Sequence, residues 1–123
     1  MGVWDSGNFD NDTAADHLYD IVEGLIKDIR DAVVNPLELE ADEYWGSAMP
    51  CNIELLTLIG SQHYSGFHYP DSEEAIKWKE VFMSAWLGSI DGLEPEESYK
   101  EERIKILNET FDKFIALSKE CEK

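Results

Sequence analysis

Two stripes of apolar residues with helical spacing constrain the fold of this chain most strongly. Near the N-terminus, apolar side chains recur every three or four residues at Ala15, Leu18, Val22, Leu25, Ile26, Ile29 and Val33. A second stripe with the same spacing lies near the C-terminus at Ile104, Leu107, Phe111, Phe114 and Ile115, and Ser118 continues the spacing. This period places each stripe on one face of a helix, where it can pack against other helices.

The middle of the chain extends this pattern. The segment from Ile53 to Ile59 is almost entirely apolar, which suits a buried strand as well as a helix. We favour a helix, because the sequence offers no other strand-like segment with which it could pair. A broad apolar face indicates a further helix, with Ala75, Ile76, Trp78, Phe82, Met83, Ala85, Trp86, Leu87 and Ile90. The sequence therefore predicts an all-α fold, a compact bundle of four to five helices in a single domain over residues 1–123.

Residues that cap or break helices mark several predicted boundaries. The run Asn11-Asp12-Thr13 precedes the first stripe, and each of its side chains can accept a backbone hydrogen bond as an N-cap. Asn35-Pro36 should end this helix, because the residue before a proline disfavours the helical conformation. The last helix should begin at Ser98-x-x-Glu101, which has the capping-box pattern.

The region from Leu37 to Pro50 is interrupted by Gly46 and by Pro50 itself, so we expect only a short helix there. Pro50 suits the first position of a new helix, where its missing N–H costs nothing. Gly60 suits the C-terminal cap of that helix.

The charge balance is strongly acidic. The chain has 27 acidic residues against 10 Lys and Arg, a formal net charge of −17. Residues 1–48 contain 12 acids and 2 bases, residues 49–98 contain 9 and 2, and residues 99–123 contain 6 and 6. Such a field repels nucleic acid and anionic membranes, and it speeds encounter with basic partners. The alternative is that the acidity only keeps a small protein soluble.

Cysteine usage and hydropathy bear on location. Cys51 and Cys121 lie far apart and form no CxxC pair, so we expect reduced, buried thiols, although a single bridge between them is possible. No apolar run approaches the length of about 20 residues that spans a membrane, and no signal segment opens the chain. These features predict a cytoplasmic protein.

Metal-binding motifs find little support. A calcium loop starting at Asp10 would need an oxygen ligand and then glycine where Ala14 and Ala15 stand, and Glu where Ile21 stands. His63 and His68, with Asp71, could form a zinc site, but their spacing matches no recognised motif. We therefore expect no metal.

The loop from Gln62 to Asp71 is rich in aromatic residues. We expect Tyr64, Phe67 and Tyr69 to tuck partly into the bundle. Exposed aromatic side chains also suit protein interfaces, so this loop is a secondary interface candidate.

Catalytic motifs are lacking. The sequence contains no G-x-S-x-G, and Cys51 has no base nearby in sequence. The eight glycines are scattered and form no phosphate-binding loop. We therefore expect no catalytic residues, no cofactor and no enzymatic activity.

Two acidic segments are the candidate partner-binding residues. The first consists of Glu38, Glu40, Asp42, Glu43 and Trp45, which follows Tyr44, and the second consists of Glu94, Glu96 and Glu97. Acids around an aromatic residue suit an inhibitor that grips a basic cleft, since the charges favour association and the aromatic slows dissociation. In the competing interpretation the first segment is a solvated turn and Trp45 is a core residue.

The N-terminal segment resembles the signature of a family of uncharacterised bacterial proteins, a domain of unknown function. Its pattern is W-G-x-G-x-F-x-N-D-x-A-x-D, and the matching residues are Trp4, Gly7, Phe9, Asn11, Asp12, Ala14 and Asp16. Asp5 stands where the family usually has Gly, which suggests a change in backbone freedom before Gly7. We expect Trp4 and Phe9 to anchor this segment on the bundle and Gly7 to form its turn.

Proteins of this kind are similar in size, acidity and lack of catalytic motifs to immunity proteins that neutralise secreted bacterial toxins. This analogy implies a small acidic inhibitor that binds a basic protein, a nuclease toxin, and masks its active site. The alternative is a small-ligand-binding or enzymatic helical domain whose pocket lies between helices.

Overall fold

The computed structural model describes residues 2–122, so Met1 and Lys123 of the predicted domain lie outside it. The elements, in chain order, are α1 (Asp12–Val33), a first 3-10 helix (Pro36–Leu39), α2 (Tyr44–Gly60), α3 (Ser72–Ile90), a second 3-10 helix (Asp91–Leu93) and α4 (Glu97–Cys121). The predicted all-α bundle is thus confirmed, with four α-helices in the described part of the chain.

Helix α1 begins and ends where the sequence predicts. The side-chain oxygen of Asn11 accepts a hydrogen bond from the Ala14 N–H at 2.8 Å, so Asn11 is the N-cap. The helix ends at Val33, just before Asn35-Pro36. Most residues of its predicted stripe form the buried face, namely Leu18, Val22, Ile26 and Ile29, with Ala32 in addition.

Hydrogen bonds to Asp10 fold the N-terminal segment back on itself just before α1. The Trp4 N–H donates to the Asp10 carbonyl at 2.8 Å, and the Gly7 N–H donates to Asp10 Oδ2 at 2.9 Å. Phe9 anchors the segment, because it packs against the core and stacks on Tyr64 with ring centroids 4.3 Å apart. The prediction that Trp4 is a second anchor is wrong, since 51% of Trp4 is exposed and only its backbone holds the segment.

The predicted break at Pro50 is also wrong, because α2 runs without interruption from Tyr44 to Gly60 with Pro50 inside it. Pro50 lacks the N–H that would bond to the Gly46 carbonyl one turn earlier, which normally costs several kcal/mol. Both residues are buried, so tertiary packing outweighs the lost bond. Gly60 is the last helical residue, and Ser61 is the C-cap in a right-handed conformation.

Helix α3 packs mainly against α4. It runs antiparallel to α4, because Lys79 pairs with Asp112 and Asp91 pairs with Lys100. Its buried side chains form the centre of the core, namely Ala75, Trp78, Phe82, Met83, Trp86 and Ile90.

The connection from α1 to α2 crosses α3. Val34 shares a cleft with Trp78 near the start of α3, whereas Ala41 is bonded to Ser89 near its end. Between these two points Leu39, on the first 3-10 helix, is fully buried. The connection therefore brings the start of α2 to the end of α3.

Helix α4 begins at Glu97, with Glu96 as an N-cap that forms no side-chain bond. The predicted capping box at Ser98 is therefore wrong, since Ser98 already lies inside the first turn. The predicted stripe is confirmed, and its buried members are Leu107, Phe111, Phe114, Ile115 and Ser118. Ser118 satisfies its hydroxyl by donating to the Pro70 carbonyl at 2.7 Å.

The prediction of buried thiols is wrong, because Cys51 and Cys121 are both exposed, and both are free. Among residues 2–122, no helix combines the length and the hydrophobicity needed to cross a bilayer.

Candidate interaction surface

The two predicted acidic segments, residues 38–45 and 94–97, lie at the same end of the bundle. The Ala41 N–H donates to Ser89 Oγ at 2.9 Å, which attaches the first segment to the last turn of α3. The second segment follows α3 after one turn of 3-10 helix. We call residues 38–47 and 90–106 the acidic end, and they include ten acidic and three basic residues.

Close packing holds the first segment in place. Gly46, in the first turn of α2, lies so close to the Glu40 carbonyl oxygen that a Cβ atom would not fit between them. Leu39 is fully buried just before Glu40. Glu40 is consequently half-buried. The other acids of the segment, Glu38, Asp42 and Glu43, are exposed.

The aromatic residues of the first segment divide between core and surface. Trp45 packs partly against the core, whereas 75% of Tyr44 is exposed. Their rings meet edge to face with centroids 5.2 Å apart. At the start of α4, Tyr99 is 55% exposed, so Tyr44 and Tyr99 are the most exposed Trp, Tyr or Phe residues of the described chain.

Sequence reasoning selected Trp45 and missed Tyr44 and Tyr99. For Tyr44 and Trp45 the reason is the helical phase: because a break was expected at Pro50, the face of α2 on which each of these two residues falls was undefined. Ile53, Met49 and Trp45 are four residues apart, which is about one helical turn. In an uninterrupted helix this spacing places Trp45 on the same buried face as Met49 and Ile53.

The second segment contains a residue in an unusual conformation. Glu94 has a φ of 52°, in the left-handed region that side chains other than glycine rarely adopt. Glu96 is the N-cap of α4, and Glu97 is its first residue. All three acids are exposed.

Lys100, the basic residue nearest to the second segment in sequence, already forms a salt bridge. Lys100 Nζ lies 2.7 Å from Asp91 Oδ1, and this hydrogen bond raises the pKa of the Lys100 ammonium. In the described residues, none of the seven predicted partner-binding acids forms a salt bridge.

Part of this acidity serves the fold. The N-termini of α2 and α4 both lie at the acidic end, and negative charge near a helix N-terminus is favourable by about 0.3–1 kcal/mol. Glu43 and Glu96 occupy the two N-cap positions without a side-chain cap bond. Glu97, the first residue of α4, is also near a helix N-terminus. Glu40, Asp42 and Glu94 have no such position at the start of an α-helix in the described residues.

A groove of about 680 Å³ lies between the two segments. One wall belongs to the start of α2 and the other to the second 3-10 helix and α4. The wall residues include Ala41, Gly46 and Ser47 on the first side and Leu93, Pro95 and Tyr99 on the second. The sequence therefore predicted two separate acidic patches, and the fold places them beside one depression.

The aromatic loop of residues 62–71 lies at the opposite end of α2 and borders a cleft of about 510 Å³. Phe67 and Tyr69 pack against the core as predicted, while Tyr64 is exposed. Burial raises the pKa of the Tyr69 phenol, and its hydroxyl has no hydrogen-bond partner in the described structure.

The histidines of this loop do not assemble with Asp71 into a metal site. His68 Nε2 is bonded to Glu23 Oε1 on α1 at 2.8 Å, and the His68 ring stacks on Tyr19. Over residues 2–122, no group of three or more His, Cys, Asp or Glu side chains is arranged to hold a metal ion.

Comparison with known protein families finds a match to the N-terminal part of the chain. No curated protein and no solved structure is significantly similar to the chain. The matched segment, residues 2–53, contains the N-terminal signature, α1, the first acidic segment and the start of α2, but not the second acidic segment. Over residues 2–53 the chain matches the family described as "Domain of unknown function (DUF4259)", which confirms the predicted resemblance to an uncharacterised family.

Proposed function

We propose that this protein is a small acidic immunity protein that binds a cognate bacterial toxin, a basic nuclease, and neutralises it by covering its active site. One observation supports the proposal above the others. Seven acidic residues that form no salt bridge with residues 2–122 lie at one end of the bundle, together with the two most exposed aromatic side chains, Tyr44 and Tyr99. Acidic and aromatic side chains in one place are suited to a basic, partly apolar protein surface.

In this proposal the inhibition is stoichiometric masking. Carboxylates of the first segment, Glu38, Asp42 and Glu43, pair with Lys and Arg side chains that otherwise contact nucleic-acid phosphates. Carboxylates of the second segment, Glu94, Glu96 and Glu97, extend the contact to a second part of the same basic cleft. The protein would then need no catalytic residue, metal or cofactor of its own, and it would act in the cytoplasm where a nuclease meets its substrate.

The net charge of −17 contributes to the rate of binding more than to its final strength. Long-range attraction raises the association rate constant for a basic partner, and salt screens it over a distance of about 8–10 Å. Tyr44 and Tyr99 would slow dissociation, because aromatic side chains are frequent among the residues that dominate binding energies.

The test is binding to the product of the adjacent reading frame, because an immunity gene lies beside its toxin. We expect the two proteins to copurify and the association rate constant to fall steeply between low and high salt. The triple variant Glu38→Gln, Asp42→Gln and Glu43→Gln should reduce that salt dependence. The matched control replaces three exposed acids outside the acidic end, Glu80→Gln, Glu109→Gln and Glu120→Gln, and should have little effect. A partner whose binding is indifferent to salt and to the triple variant would contradict the proposal.

A small-ligand-binding or enzymatic domain remains the alternative, and the cleft beside the aromatic loop favours it. Tyr69 Oη and His68 Nδ1 are buried there without a hydrogen-bond partner in the described residues. A ligand could supply the missing partners, since unsatisfied buried polar groups are costly. The test is the melting temperature of the isolated protein with a panel of metal ions and metabolites. A concentration-dependent rise that Tyr69→Phe removes would support this class.

A further inference from the structure

The groove at the acidic end has an apolar floor and two different walls. Trp86 and Ile90, at the end of α3, are buried beneath it. Leu93 and Tyr99 form part of the α4 side and are both exposed, so apolar surface lies open to solvent at this point. On the α2 side Gly46 and Ser47 have no bulky side chain, which keeps the groove open.

We propose that this groove receives a single aromatic or long aliphatic side chain from a basic segment of the partner, with Lys or Arg residues flanking that side chain. The inference rests on the proposed function and identifies the part of the surface that fixes the partner in position. The anchor packs on Trp86 and Ile90 while its basic neighbours contact the two acidic segments. A buried central anchor within a polar rim is the usual anatomy of a specific protein interface.

The charges around the groove select a basic occupant. Residues 38–43 and 94–97 provide seven acidic residues on its two sides, and Glu102 lies on its lining. Arg103 is the one basic residue on that lining, and it forms no salt bridge with the described residues. Its guanidinium is therefore available to the backbone carbonyl groups of an inserted segment, whose side chains face the acids.

Other apolar depressions are bordered by fewer acidic residues. The cleft between α2 and α4 that contains Leu58 includes Lys113 with two acids. The cleft between α3 and α4 that contains Met83 includes Lys79 already paired with Asp112. Acidic residues border both of these clefts as well, but only two in each: Glu54 and Glu109 in the first, Glu80 and Asp112 in the second. The groove at the acidic end lies between two segments that together contain seven.

The test uses two short synthetic peptides, Lys-Arg-Ala-Trp-Ala-Arg-Lys and the same peptide with Ser in place of Trp. Fluorescence anisotropy of the labelled peptides gives the dissociation constants with the whole protein at low and high salt. We expect the Trp peptide to bind at least about tenfold more tightly than the Ser peptide. We also expect its amide chemical-shift changes to fall on residues 46–47, 86–93 and 99–106.

Variants locate the anchor. Ser47→Trp fills the groove from the α2 side and should remove the advantage of the Trp peptide. Ser84→Trp, the same substitution at an exposed position of α3 outside the groove, should preserve that advantage. Tyr99→Ala provides a second groove variant, because it removes part of the wall without adding bulk at α2. Circular dichroism melting of each variant shows that it is folded.

The outcomes separate the two proposals. Equal, salt-dependent binding of both peptides, or an advantage of the Trp peptide that survives Ser47→Trp and Tyr99→Ala, would overturn the groove assignment and leave the acidic surface intact. Tight binding of the Trp peptide that ignores salt, and persists when its Lys and Arg are replaced by Gln, would overturn the basic-partner proposal. Absence of binding by either peptide at low salt would overturn both.

Discussion

The carbonyl oxygen of Glu40 packs directly on the Cα of Gly46, leaving no room for a side chain at position 46. This contact fixes the first acidic segment against the start of α2. The contact lies in the first turn of α2, four residues before Pro50. The backbone of the segment and the helix close on each other where only glycine fits.

Gly46→Ala should therefore destabilise the protein, although alanine is the better helix former. The added methyl group would meet backbone atoms of Glu40, which cannot move as a flexible side chain can, and overpacking of this kind costs about 1–3 kcal/mol. Chemical denaturation measures the effect. Gly24→Ala and Gly88→Ala are matched controls, because a Cβ at either position meets no atom within 4 Å. Both should stabilise by about 0.5–1 kcal/mol, and equal behaviour of all three variants would contradict the close contact.

Asn11→Ala should cost about 1 kcal/mol of stability through the lost N-cap bond to Ala14. Asp12→Ala should cost less, about 0.3–1 kcal/mol, because Asp12 is the first helical residue and interacts with the helix dipole. The free energy of unfolding of the two variants is the measurement. If Asn11→Ala left stability unchanged and abolished partner binding instead, the N-terminal signature would be part of the binding surface.

The raised pKa of Tyr69 predicts how the stability of the protein changes at alkaline pH. Burial, followed by the nearby Cys121 and Glu120, raises the pKa of Tyr69 in the folded protein above its ordinary value of 10.0. The unfolded chain therefore loses the phenol proton at lower pH than the folded chain does. Stability due to this group is fully present below about pH 10 and is lost as the pH rises towards the folded pKa.

Tyr69→Phe should remove this alkaline loss. At neutral pH the same variant should be neutral or stabilising by about 1 kcal/mol, because it removes a buried hydroxyl that has no partner in the described structure. Denaturation between neutral pH and strongly alkaline pH gives both quantities. Tyr44→Phe is the control, since Tyr44 is exposed. If the free energy of unfolding fell equally with rising pH in the wild type and in Tyr69→Phe, Tyr69 would not be the group responsible for the alkaline loss of stability.

The helices were predictable because their stripes are long and uniform. The first stripe and the last fall almost wholly on the buried faces of α1 and α4, and Asn11 caps α1 as its residue type indicates. Capping by Ser98 was predicted wrongly, since a local pattern cannot reveal that the chain is already helical one residue earlier. Pro50 was misread for a related reason: propensity penalises proline inside a helix, and only tertiary packing outweighs that penalty.

The sequence shows which acidic residues belong to the candidate site, but it does not show that they lie together in space. Acidic residues at 38–43 and 94–97 are evident in the sequence. Their convergence depends on the connection that crosses α3 and ends at the bond between Ala41 and Ser89, a contact between residues far apart in the chain. No periodicity encodes that contact. The groove consequently could not be found before the fold was known.

Glu94→Gly should weaken partner binding without weakening the fold, which makes it the sharpest single test of the second acidic segment. Glu94 has a φ of 52°, and a left-handed conformation costs a residue other than glycine about 1–2 kcal/mol. Glycine removes this strain but adds about 0.5–1 kcal/mol of entropy loss on folding, so stability should be unchanged or slightly higher.

Glu96→Gly is the control. It also removes one negative charge, but at a position where φ is −62°, so it relieves no strain and should destabilise the protein. Unfolding free energies and dissociation constants of both variants separate charge from conformation. Loss of stability in Glu94→Gly would show that the Glu94 side chain stabilises the turn. Unchanged binding in both variants would show that these two charges do not contribute to partner binding.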